Sequence, residues 1–281
     1  TGATSKNNDF AENVFVASTH DYVVFFTSSG KCFWRKVHEL PESSLTARGR
    51  ALTNILDLPE DEKIRAFVSL RDFEQDAYLI MTTRSGIIKK TKLEEYSRPR
   101  ANGIIAINLK SNDELIAVRT SSGSDEILIS TKLGQAIRFN EDKVRSVGRN
   151  SMGVKGISLK SDDFVVSSEV IKDSKTQILT ITENGFGKRT EVEKYRLTSR
   201  GGKGVTTLKI TEKTGKIVNA FQVDNETDVI LLSSVGKANR LKASEISIIG
   251  RATQGVRLMK LNDETWVVAA AKLTEEKQNS E

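Results

Sequence analysis

Apolar and β-branched residues fall in short runs separated by polar turns, with almost no helical spacing. Such runs, rich in Val, Ile, Leu, Phe and Thr, predict strands. One hairpin pattern recurs five times: VVFFTSSGKCFWRK at 23–36, LIMTTRSGIIKKTK at 79–92, ILISTKLGQAIRFN at 127–140, ILTITENGFGKRTE at 178–191 and VILLSSVGKANRLK at 229–242. Its turn glycines, Gly30, Gly86, Gly134, Gly185 and Gly236, are spaced 56, 48, 51 and 51 residues apart. Three positions before each glycine stands a hydroxyl residue (Thr27, Thr83, Thr131, Thr182, Ser233), and ten after it an apolar one (Leu40, Tyr96, Val144, Tyr195, Ile246). A glycine takes the left-handed conformation a tight hairpin needs, and the hydroxyl can fix the turn by bonding a nearby N–H. A partial helical turn is expected only at 93–96 or 142–146.

After each hairpin comes a second half-unit: an arm ending in glycine, a short strand, an acidic turn and another strand, as in GVKGISLKSDDFVVSSEV at 153–170 and QGVRLMKLNDETWVVAAAKL at 254–273. Asp9, Asp61, Asp113, Asp162 and Asp263 mark its period, with Thr214-Gly215 in the remaining place. The chain therefore reads as five full units of about 50 residues, a leading half-repeat at 1–20 and a tail at 274–281. Roughly four strands per unit, stacked around an axis, predict one all-β, propeller-like disc over 1–281. Two separate β-sandwiches fit less well, because the period runs unbroken through the midpoint.

Composition excludes several classes. The 281 residues hold one cysteine, Cys32, and two histidines, His20 and His38, so neither a disulfide framework nor a cysteine or histidine metal centre is expected. No apolar stretch is long enough to span a bilayer, and no secretory leader pattern is present. There is no phosphate-binding G-x-x-x-x-G-K-[ST] loop, and no cofactor is expected. Tyr96 and Tyr195, at the apolar +10 position, are read as packing residues; Trp34 and Trp266 likewise belong with the core.

The net charge of +6, from 43 Lys+Arg against 37 Asp+Glu, says little until it is mapped on the repeat. The second hairpin strands carry Lys31, Arg35 and Lys36; Lys89, Lys90 and Lys92; Arg138; Lys188 and Arg189; and Lys237, Arg240 and Lys242, with Glu191 the sole acid in those windows. The arms add Arg48, Arg50, Arg98, Arg100, Arg145, Arg149, Arg196, Arg200, Lys203, Arg251 and Arg257. Repeated cations can simply blunt strand edges, but solubility does not demand the exclusion of acids. A basic band on a disc rim would attract duplex DNA, with one phosphate charge per ~1.7 Å of axis. With no recognition helix or zinc finger, binding should be independent of sequence.

At STHDYVVFFTSSGK (18–31), NGFGKRT (184–190), YRLTSRGGKG (195–204) and SEISIIGRATQGVR (244–257) the chain resembles the C-terminal domain of gyrase A, the DNA-cleaving component of DNA gyrase. The resemblance implies a six-bladed β-pinwheel, its first blade incomplete here, that wraps duplex DNA and supports negative supercoiling. It implies a non-catalytic, monomeric domain of an ATP-dependent type II topoisomerase. Such a domain works with the rest of gyrase A and with gyrase B in the bacterial cytoplasm, on the nucleoid. The family's Q-R-R-G-G-K-G box is not found; the chain starts beyond it at Thr1-Gly2-Ala3, and the nearest copy is Ser199-Arg200-Gly201-Gly202-Lys203-Gly204, so phosphate contact carries over to Arg200 and Lys203. A related alternative is the C-terminal domain of topoisomerase IV; one of another class is a protein-binding propeller.

Overall fold

The hydroxyl–glycine turns close by the same two bonds in every unit. Each turn glycine N–H donates to the carbonyl of the hydroxyl residue. Each hydroxyl oxygen accepts from the N–H after the glycine: Lys31 to Thr27 at 3.3 Å, Ile87 to Thr83 and Gln135 to Thr131 at 3.2 Å, Phe186 to Thr182 at 3.3 Å and Lys237 to Ser233 at 3.0 Å. This computed structural model describes residues 18–41, 55–56, 58, 62–98, 100 and 102–273. Asp9, Asp61, Arg48, Arg50, most of the leading half-repeat and the tail lie outside the described residues.

The hairpins are β1 (Tyr22–Thr27) with β2 (Lys31–Lys36), β4 (Tyr78–Thr83) with β5 (Ile87–Lys92), β8 (Glu126–Thr131) with β9 (Gln135–Asn140), β12 (Gln177–Thr182) with β13 (Phe186–Glu191), and β16 (Asp228–Ser233) with β17 (Ala238–Lys242). A long strand pairs with the first strand of each: β3 (Ile64–Leu70), β7 (Leu115–Ser121), β11 (Val165–Ile171), β15 (Ile217–Val223) and β19 (Val267–Leu273). A two-residue strand closes the other edge: β6 (Ile104–Ile105) on β2, β10 (Val154–Lys155) on β5, β14 (Val205–Thr206) on β9 and β18 (Val256–Arg257) on β13. Each of these short strands comes from the arm after the next hairpin, so every such blade is finished by its neighbour.

The long strands are innermost. Ala66, Ala117, Ser167, Asn219 and Ala270, one from each, line a shared cavity of about 310 Å³. Cores lie between blades: Leu79 and Met81 pack toward the first blade with Val24 and Phe26, while Ile80 and Ile88 pack toward the third with Ile127 and Ile129. The middle strands are therefore buried on both faces, which explains their nearly continuous apolar runs. The acidic turns tie back to the hairpins: the Ser85 N–H donates to Asp113 and the Leu133 N–H to Asp163, both at 2.9 Å. Asp162 instead supplies the turn's left-handed residue, at φ 60°.

Several expectations are corrected. The blades number five, not six: four four-stranded sheets and one three-stranded sheet among the described residues. A blade grows on a hairpin, and the sequence has five. The leading half-repeat, expected to be an incomplete first blade, lies mostly outside the described residues; among those residues the last sheet is the three-stranded one. No described strand fills there the edge position that β6 fills in the first blade. Trp266 is not core; it is half exposed beside the last hairpin turn. Trp34 is buried against Phe73, and Tyr96 and Tyr195 are fully buried. The 3-10 turns lie at 37–39, 93–96, 141–143, 192–194 and 243–245, after every hairpin rather than two of them.

Candidate nucleic-acid interface

The arms form the outer edge of the disc. Each climbs from the 3-10 turn that follows its hairpin to a glycine and then the short edge strand. The glycine is required there. At Gly204, φ is +73° and an added Cβ would stand 2.3 Å from the Ala136 carbonyl oxygen, on the strand that the edge must reach. Successive arms lean on one another in register. The Asn108, Ser158 and Lys209 N–H groups donate to the carbonyls of Ser151, Gly202 and Thr253 at 3.0, 2.8 and 3.0 Å. Arg149, Arg200 and Arg251 each donate through Nη1 to the preceding edge strand, at Ile105, Lys155 and Thr206, over 3.0, 3.0 and 2.9 Å.

Over 97–105, 145–155, 196–206 and 247–257 the arms hold ten Lys and Arg and no Asp or Glu. Arg98, Arg100, Arg145, Lys155, Arg196, Lys203 and Arg257 are exposed. Lys155 is not singled out by the sequence pattern; its signal is its alignment with Arg257, second after the arm glycine. Arg149, Arg200 and Arg251 are half-buried.

The hairpin cations divide differently. Lys31, Lys237, Arg240 and Lys242 are exposed, with Arg240 paired to Asp228, and Arg35 and Lys36 are half-buried. The pattern puts Lys89, Lys90, Arg138, Lys188 and Arg189 on an accessible face, whereas the structure buries all five. At the +4 position, Lys90 donates to Glu141 at 3.1 Å, Arg138 to the Val192 and Tyr195 carbonyls at 2.9 and 3.1 Å, and Arg189 to the Ile246 carbonyl at 2.8 Å. These cations staple a blade to the 3-10 turn of the next, Lys90 through a carboxylate and the two arginines through backbone carbonyls. At the +3 position, Lys89 donates to the Ala106 carbonyl at 2.6 Å and to that of Arg149, gripping two arms.

Burial sets the chemistry of these inner groups. It lowers Lys89 to about 7, helped by the Arg149 guanidinium, and Lys188 to about 8, helped by Arg251. Burial also pushes the Cys32 thiol up to about 12, which makes it a poor nucleophile. No cluster of metal-ligating side chains, and no helix long and apolar enough to cross a membrane, occurs among the described residues.

Five sheets around one central cavity, with a cationic, acid-free outer edge, define a five-bladed β-propeller with a basic rim. The family model described as "DNA gyrase C-terminal domain, beta-propeller" matches residues 21–71, 77–122, 125–172, 176–224 and 227–273, one segment per blade. The chain belongs to that family. It is 44% identical over 273 residues to the DNA gyrase A protein of Salmonella typhimurium and 44% identical over 280 residues to that of Staphylococcus epidermidis, covering 97% and 99% of this chain. It spans 31% of each of those relatives' length. Among solved structures, the C-terminal domain of DNA topoisomerase IV is similar at a TM-score of 0.83 and 28% identity, covering 91% of this chain and 80% of that one. A DNA gyrase A C-terminal domain is similar at 0.81 and 26%, covering 98% and 92%.

Proposed function

We propose that this domain binds duplex DNA without base readout and bends it along the arms, supporting negative supercoiling by a DNA gyrase. The observation that carries the reading is the absence of acids from four successive arms that present exposed Arg and Lys on one continuous edge. The DNA gyrase A relatives support it, and within such an enzyme the domain would work with the rest of gyrase A and with gyrase B, on the bacterial nucleoid. No residue of the chain is assigned a catalytic role.

The rim must supply considerable energy. A body of 281 residues has a radius of gyration of about 19 Å, hence a girth of roughly 150 Å or about 45 base pairs. Bending duplex through half a turn over half that length costs on the order of 20 kcal/mol. A track of phosphate contacts releasing counterions can offset this, and one or two ion pairs cannot. With about seven exposed rim cations, affinity for random-sequence linear duplex should fall roughly 10⁴-fold between 50 and 200 mM salt. Affinity that barely changed over that range would sink the reading and favour a protein-binding propeller.

A further inference from the structure

Eight large apolar side chains are exposed among the described residues, and six of them, Ile105, Met152, Val154, Leu197, Ile248 and Val256, lie on the arms and their edge strands. A rim that merely faced water would be expected to carry polar residues there. Leu197 and Ile248 stand out as the most exposed of the six, and they occupy equivalent positions. They are 51 residues apart, in adjacent arms, and 48% and 46% exposed. Each backbone is bridged to a buried staple, Leu197 to Arg138 and Ile248 to Arg189, and the next residue's N–H donates to that staple's carbonyl at 2.9 Å. Pinned backbones with side chains left outward are rigid presentations, not loose loop residues.

Their surroundings narrow the partner. Acids are absent from both arms, Arg196 precedes Leu197, and no aromatic side chain lies in either segment to stack on a base. Cations interleaved with aliphatic groups suit a duplex groove, where phosphates flank apolar deoxyribose. A side chain wedged between bases from the inner side of a wrap would open the duplex there and bend it away from the protein. Packing on sugars without unstacking avoids that conflict.

We propose that Leu197 and Ile248 pack against deoxyribose in the inward-facing minor groove, one blade apart. They add contacts insensitive to salt and fix the rotational setting of the bent duplex. The inference rests on the DNA-binding reading above. Both side chains lie outside the packed interior, so truncating them leaves the fold intact.

The test is Leu197→Ala with Ile248→Ala, read by duplex affinity across salt and by hydroxyl-radical cleavage, which attacks deoxyribose from the minor groove. The expected result is a roughly tenfold loss of affinity with an unchanged salt slope, and loss of two protected minor-groove sites, one for each arm. Unchanged affinity and footprint, alongside normal salt-dependent binding by the unaltered chain, would overturn this inference and leave the DNA reading standing. Failure of the unaltered chain to bind duplex would overturn both.

Discussion

The Lys188 Nζ donates to the Gly250 carbonyl oxygen at 2.6 Å, across the junction between the fourth blade and the arm of the fifth unit. The same amine bonds the Arg251 carbonyl and, at 2.9 Å, Thr253 Oγ1. A fully buried lysine thus holds the rim from behind. Lys188→Met keeps the stem but leaves these acceptors unpaired. It should lower stability by about 2–3 kcal/mol in urea unfolding. The salt slope of duplex binding should not change, because the amine is not at the surface. A reduced slope with unaltered stability would reverse that assignment.

Lys89 and Lys188 also set a pH dependence. Burial holds both folded-state values, about 7 and about 8, below the ordinary lysine value of 10.5. Over that interval the unfolded chain binds more protons, so stability rises with pH and is lost as pH falls through 8 and then 7. Urea midpoints should therefore increase from pH 6.5 to pH 9. Lys89→Met should reduce the difference. A midpoint that falls toward pH 9 would contradict the burial argument.

Gly204→Ala should be costly and Gly148→Ala nearly neutral. The first adds a Cβ 2.3 Å from the Ala136 carbonyl oxygen at φ +73°, whereas the second meets nothing within 4 Å. Losing the β14–β9 pairing should destabilise by at least ~2 kcal/mol. Thermal unfolding of the two variants side by side checks the contrast, and equal midpoints would refute it.

Arg196 and Lys203 are exposed on one arm. Arg196→Ala and Lys203→Ala should each weaken duplex binding uniformly across sequences and reduce the salt slope by about 1. Titrations at several salt concentrations measure this directly. A loss confined to particular sequences would point to base readout instead.

Much of this architecture is legible in the chain. The T-x-x-G turns can be read because a left-handed glycine and a turn-fixing hydroxyl leave a local mark, and each bond they imply is present. The five hairpins likewise foretell five sheets; the count of six came from resemblance, and the hairpins are the better guide because each blade is built on one. The division of cations is not legible. Lys89 and Lys90 are consecutive in β5, and in an exposed sheet one of them would face water. A blade's middle strand is buried on both faces, so alternation carries no information about which lysine is free. The edge strands are hidden for another reason. Two residues such as Val154-Lys155 are too short to show a pattern, and their partner, β5, lies in the preceding blade.

Ligation of a nicked circle in the presence of the chain tests the wrapping claim most directly, because it records the path of bound DNA as a change in linking number. At low salt the linking number should shift in one direction, in proportion to bound protein. The shift should vanish at high salt and in a variant with Arg98, Arg100, Arg145, Arg196 and Lys203 all replaced by alanine. A saturated circle that closes with the linking number of free DNA would contradict the account.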